Sequence, residues 1–130
     1  MCSSDLALKL ASIIEKETGV PAERPRIAAV FINRLKNGMR LESDPTIIYG
    51  LSKGVPLGHP LRQSELDTPN PYSTYQIDGL PPTPICNPGL ASLQAAAHPA
   101  NVDYLYYVAK GDSGHHYFTN NYQDFLAHAG

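Results

Sequence analysis

The sequence predicts an α+β domain in which several short helices pack with a small antiparallel sheet containing a C-terminal hairpin. Three observations predict it. Apolar residues recur at helical spacing through the first third of the chain. Prolines and glycines, 12 and 10 of 130 residues, cut the remainder into short elements joined by stiff loops. Near the C-terminus, the runs 104–109 and 115–119 are rich in Tyr, Val, Phe and Thr and flank the turn residues Gly111, Asp112, Ser113 and Gly114. That pattern is a hairpin, and a lone hairpin is not stable, so it must pair further or rest on the helices.

The first helix is expected over Leu6–Thr18, with Ser4 or Asp5 as its N-cap, Gly19 at its end and Pro21 enforcing the break. At roughly 100° per residue, Leu6, Leu10, Ile13 and Ile14 share one face, and Glu17 projects to that same face. Glu15 points elsewhere, toward Leu8 and Ala11, while Lys9, Ser12 and Lys16 form the wet strip. A carboxylate on an apolar face is costly unless paired or protonated, and desolvation raises its pKa into the range a general acid needs. A solvated helix end or half of a structural ion pair would place the same residue there, and both readings stay open at this point.

A second helix is expected from Ala22 to Lys36, with Ile27, Val30, Phe31, Arg34 and Leu35 in helical register and Gly38 after it. Asn33 and Arg34 lie near its end, as cap and ion-pair groups or as the floor of a cleft. Asp44 before Pro45 marks a short helix capped by the aspartate and stopped by Gly50, with Glu42 just upstream in an extended strip. Residues 51–62 read as a surface loop carrying a solvated His59.

Residues 63–75 read as an ordered loop whose Tyr72, Ser73, Thr74 and Tyr75 offer stacking faces and hydroxyls, the combination a sugar site needs; packing of the tyrosines onto the core is the competing reading. Residues 79–89 are too proline-dense for helix or central strand. Asn87 and Pro88 then open a helix over Gly89–Ala97, closed by His98 and Pro99. Asn120 or Asn121 caps a last helix, Tyr122–Ala127.

At this length the chain is one domain, residues 1–130, with room for a real core. A net charge of −2 and scattered Lys and Arg leave no nucleic-acid footprint. No stretch is long enough to span a membrane, and the start lacks the charged and apolar regions of a signal peptide. Cys2 and Cys86 form no metal pattern and read as free thiols. Among His59, His98, His115 and His116 there is no metal-ligand spacing; neighbouring His115 and His116 should face opposite sides of a strand and could not share one metal. No metal site is expected, though one histidine could reach a cleft from the hairpin. Glu15 and Glu17, two positions apart, cannot face each other as an acid and nucleophile pair. A two-carboxylate glycosidase would need a partner from Glu42, Asp44, Glu65, Asp67 or Asp78.

The blocks ASIIEKET, VFINRLKNGMRLESDPTIIYG, LDTPNPYSTYQIDGLPPTPICNPG, LQAAAHP and YLYYVAKGDSGHHYF, in that order from about Leu10 to Thr119, resemble the endolytic murein transglycosylase (YceG-like) family. The resemblance implies the C-terminal catalytic part of a longer protein, in which a membrane-spanning helix and a LysM-like region come first. It implies a lyase of cell-wall biogenesis that cuts peptidoglycan glycan strands between N-acetylmuramic acid and N-acetylglucosamine, leaving 1,6-anhydro ends and using no cofactor. The parent would be anchored in the cytoplasmic membrane with this domain outside it, near the cell-wall synthesis machinery. The second glutamate of the EKET block, Glu17, matches the catalytic acid. Glu15, Asn33, Asp44, Thr46, Tyr49, Tyr72, Thr74, Tyr75 and His115 match positions that shape the cleft. Glu42 departs from a usual Gln, Ser73 from a usual Asn and Thr83 from a usual Gly, and Glu42 and Ser73 are counted with the substrate-binding set. A lysozyme-like hydrolase and a silent glycan-binding module are the alternatives.

Overall fold

The computed structural model describes residues 3–18, 20–110 and 115–129. In order these form α1 (Ser3–Glu17), a 3₁₀ turn (Pro21–Glu23), α2 (Arg24–Lys36), α3 (Asp44–Ser52), α4 (Gln63–Asp67), α5 (Leu90–Ala97), β1 (Tyr106–Ala109), β2 (His116–Thr119) and α6 (Tyr122–Ala129). The expected α+β class is what is observed. Among the described residues the sheet is the antiparallel pair β1–β2, with Tyr107 opposite Phe118 and Ala109 opposite His116.

Helices α1, α2 and α5 pack on one another to enclose the core. Leu10, Ile13 and Ile14 of α1 meet Ile27 and Phe31 of α2, Ala95 and Ala96 of α5, and Leu41 and Ile85 from the connecting segments. Each large side chain so buried contributes about 1.5–3 kcal/mol. The alanine face of α5 lets its backbone come close, as its small residues suggest. The hairpin rests on α2 and α6, and Tyr107 sets its ring edge-on to Phe31 at 6.0 Å.

Several boundaries differ from the sequence reading, each for a local reason. Helix α1 begins at Ser3, so Asp5 sits in its first turn rather than capping it. The Cys2 thiol, the Gly19 stop and the turn at residues 111–114 lie outside the described residues. Ser12 is fully buried, not part of a wet strip: α5 and residue 85 cover that side, where the Ser12 hydroxyl donates to the Lys9 carbonyl and accepts from the Ile85 N–H. Leu6, expected on the core face, remains 41% exposed at the rim of an apolar groove.

Residues 21–23 form a 3₁₀ turn ahead of α2, whose first turn takes Pro25 where no amide donor is required. Gly38 follows α2 with φ +69°, and the Met39 N–H closes back on the Arg34 carbonyl. Asp44 is the first residue of α3, not its cap; Ser43 precedes it in extended conformation. Gly50 does not stop α3. The helix runs on to Ser52 and ends at a left-handed Lys53, and Gly50 instead leaves room for Asn70, whose Oδ1 would lie 2.0 Å from an added Cβ.

Residues 63–67 are helical, with the Glu65 carboxylate accepting from the Arg62 N–H at the start. His59 is not simply solvated: its ring pairs with Glu65 at 3.7 Å. Helix α5 begins after Gly89, one residue later than expected. Both strands are shorter than expected, and α6 is longer by two residues, with Asn121 Oδ1 accepting from the Asp124 N–H as expected of its cap. Cys86 is a free thiol whose Sγ donates to the Ser12 carbonyl, and burial pushes its pKa up.

Candidate active site

Glu17 is the last residue of α1, and the helix aims it out of the core into a cavity of about 240 Å³. Arg34, Leu41, Glu42, Asp44, Tyr75, Tyr107 and Phe125 line the rest of that cavity. Six segments therefore meet at this cavity: the ends of α1 and α2, the strip leading into α3, the Tyr72–Tyr75 loop, β1 and α6.

The Glu17 carboxyl is held from two sides. The Ser43 hydroxyl donates to Oε1 at 3.2 Å, and the Tyr107 hydroxyl donates to Oε2. Burial pushes its pKa up to about 7; the Ser43 hydrogen bond opposes this, and the negative Asp44 nearby adds to it. A carboxyl poised there carries a proton part of the time at neutral pH and gives or takes one with similar ease.

Ser43 is itself fixed by a clasp of buried hydroxyls. Its N–H donates to Thr74 Oγ1 at 2.7 Å, its carbonyl accepts from Thr46 Oγ1 at 2.6 Å, and the two threonine hydroxyls meet at 3.0 Å. Thr46, Ser73 and Thr74 are buried, so they shape the cavity from behind rather than lining it. Glu42 does line it, in a left-handed conformation at φ +54°, with its carboxylate 3.7 Å from Arg34. Arg34 is anchored by donating from Nε to the Leu105 carbonyl and from Nη1 to the Arg40 carbonyl. The Tyr75 hydroxyl donates to Asp44 Oδ1 at 2.9 Å, and burial followed by that carboxylate pushes the phenol's pKa upward.

The other residues singled out in the sequence lie away from this cavity. Glu15 faces α5, accepting from the Gly89 N–H and the Ser92 hydroxyl, both at 2.9 Å, with Arg24 at 3.8 Å; the Gly89 bond is the main reason its pKa is lowered. Asn33 donates its amide to the carbonyls of Val102 and Tyr104, tying α2 to the segment ahead of β1. Tyr49 and Tyr72 pack on each other at 5.0 Å, with the Lys53 ammonium over both rings. His115 sits beside buried Glu23 at 3.4 Å, and so does His116, at 2.9 Å. The two histidines thus share a partner, contrary to the expectation of opposite faces, because His115 precedes β2 and is not bound by strand alternation. Among the described residues no group of three or more His, Cys, Asp or Glu is arranged to hold a metal ion, and no helix is long and apolar enough to cross a membrane.

Sequence reasoning missed Ser43, Tyr107, Leu41 and Phe125. No local signal marks them: Ser43 lies in an extended strip, and Tyr107 looks like any strand aromatic. Their role exists only where the chain folds back on Glu17.

The sequence profile of the YceG-like family matches residues 2–130. The chain is 45% identical over 107 residues to a Bacillus subtilis (strain 168) protein named endolytic murein transglycosylase, a match that covers 81% of this chain and 28% of that protein. It is 36% identical over 122 residues to the Streptococcus pneumoniae (strain D39) protein of the same name, covering 90% of this chain and 22% of the other. The chain thus spans about a quarter of the length of these relatives. A crystal structure of a YceG-like protein from Listeria monocytogenes superimposes with a TM-score of 0.84 at 40% identity, covering 91% of this chain and 38% of that one. With a profile match across nearly every residue and a fold shared at this level of identity, the chain belongs to the YceG-like family.

Proposed function

We propose that this domain is the catalytic part of an endolytic murein transglycosylase that cleaves peptidoglycan glycan strands between N-acetylmuramic acid and N-acetylglucosamine. The observation that carries the reading is the Glu17 carboxyl, raised to about 7, at the edge of an open polar cavity. The names of the relatives support the substrate class.

In this reading protonated Glu17 gives its proton to the glycosidic oxygen as the bond to the anomeric carbon breaks. The resulting carboxylate takes the proton of the C6 hydroxyl of the same muramic acid, whose oxygen closes on the anomeric carbon. The product is a 1,6-anhydro ring, and Glu17 ends protonated as it began. Ser43 and Tyr107 hold the carboxylate between the two transfers. No water is consumed and no second carboxylate is required. The chain's relatives being far longer, this domain would work within a larger, membrane-anchored parent facing the cell wall.

A second reading is favoured by one specific observation. Glu42 and Asp44 share the cavity with Glu17, and a second carboxylate is what a hydrolase needs. Mass spectrometry of fragments released from purified sacculi separates the two: anhydro ends are expected, and reducing ends, heavier by one water, would establish hydrolysis. Binding of glycan strands with no release at all would mark a silent module.

A further inference from the structure

We propose that the rings of Tyr122 and Phe125, backed by Tyr106, form a stacking subsite for a pyranose ring of the glycan strand, on the wall of the cleft beside Glu17; this rests on the glycan-cleaving reading above. Phe125 lines the Glu17 cavity, so the aromatic cluster and the acid share one continuous surface. Tyr106 stacks on Phe125 with centroids 5.3 Å apart and planes at 29°, and Tyr122 lies 6.1 Å from Phe125 at 24°. Tyr122 and Phe125 are therefore within 24° of parallel, and Tyr106 backs them, tilted by 50° from Tyr122 at 5.5 Å.

That face does not belong to the core. No residue of α6 is fully buried, and Tyr122 is 52% exposed. It is nonetheless tied down on two sides. The Arg34 guanidinium sits over the Tyr106 ring at 5.2 Å from the cavity side. The Tyr117 hydroxyl donates to Asp124 Oδ2 at 2.7 Å and ties α6 to β2. Sugar rings carry an apolar face of C–H bonds between equatorial hydroxyls. A preorganised aromatic cluster with an exposed ring takes that face while the hydroxyls stay in water. The polar cavity beside it, with Arg34, Glu42 and Asp44, serves the hydroxyl and amide edges of the neighbouring sugar.

The test measures binding without turnover. On a Glu17→Gln background, titration with a β-1,4-linked N-acetylglucosamine pentamer should show affinity weakened about three- to tenfold by Tyr122→Ala and by Phe125→Leu. Tyr122→Phe, which keeps the ring, should bind as the background does, and so should Leu126→Ala, on the same helix. Thermal melts of each variant report whether α6 stays docked. A Tyr122→Ala protein that melts as the background and binds the pentamer equally well overturns the subsite, as does a background that does not bind the pentamer at all. Digestion of sacculi by the unmodified chain tests the parent reading separately. Anhydro products alongside unaffected wall variants would leave the transglycosylase standing and remove the subsite alone.

Discussion

The Tyr107 hydroxyl donates to the Glu17 carboxylate across 90 residues of sequence, so the hairpin near the C-terminus completes the environment of the acid at the end of the first helix. A donor to the charged form lowers a carboxyl pKa, and its removal raises it. Tyr107→Phe keeps the ring against Phe31 and removes only the hydroxyl. The alkaline limb of its pH–activity profile should move up, with little change in melting temperature below pH 4.5 and a lower one above about pH 7. An unchanged limb would mean that the hydroxyl does not act on Glu17.

The raised pKa of Glu17 has a sign that can be checked in stability as well as rate. Below 4.5, the ordinary value, the carboxyl is protonated folded and unfolded, and it costs nothing. Between 4.5 and about 7 the folded chain holds a proton that the unfolded chain releases, so stability falls as pH rises; above about 7 the penalty is constant. Glu17→Gln, which cannot ionise, should therefore gain on the parent from pH 4.5 to 7 and then hold a steady advantage of a few degrees. The parent's cleavage rate should decline above about 7 as the acid loses its proton. A melting difference that is flat with pH would refute the shift.

The two glutamates of α1 should part company under the same substitution. Glu17→Gln is expected to lower strand cleavage by at least about a hundredfold while remaining folded. Glu15→Gln should keep most activity, because Glu15 accepts from Gly89 and Ser92 at the start of α5 and does not reach the cavity. Glu15→Ala should cost about 1–2 kcal/mol, as loss of a helix-start acceptor does. Muropeptide release measured beside chemical denaturation decides both.

How far these roles could be read from the sequence depends on whether they are local. Helical spacing places Glu17 on the face of Ile13 and Ile14, one turn before it, and in the fold that face runs past the core into the cavity. The hairpin was visible in its aromatic runs. Ser12 was misread because one apolar stripe implies one neighbour, whereas α1 is covered on a second side by α5. His115 and His116 were separated by a strand rule that applies only within the strand. Ser43 could not be found at all, since its meaning comes from Thr46, Thr74 and Glu17, and two of those lie 26 or more residues away.

The buried hydroxyl clasp predicts that Thr74 matters without touching substrate. Thr74→Val keeps the shape but leaves the Ser43 N–H without its 2.7 Å acceptor, at a cost of about 1–3 kcal/mol. Cleavage should fall through kcat, since Ser43 no longer presents its hydroxyl to Glu17, and KM for glycan strands should stay within about twofold. A KM effect with unchanged kcat would instead place Thr74 in direct contact with sugar.

Asn70 ties the chain back to α3 by donating to the Ile47 carbonyl, and it does so after the exposed stretch from Lys53 to Gly58 has left and returned. With Ser43 and Thr46 before that stretch and this tie after it, none of residues 53–58 lines the Glu17 cavity. Chain length there is cheap, since doubling a flexible loop costs only about 0.6 kcal/mol. Gly54 to Gly58 is thus a place to graft a fluorescent reporter or an affinity handle without reaching the Glu17 cavity, a port for labelling the domain.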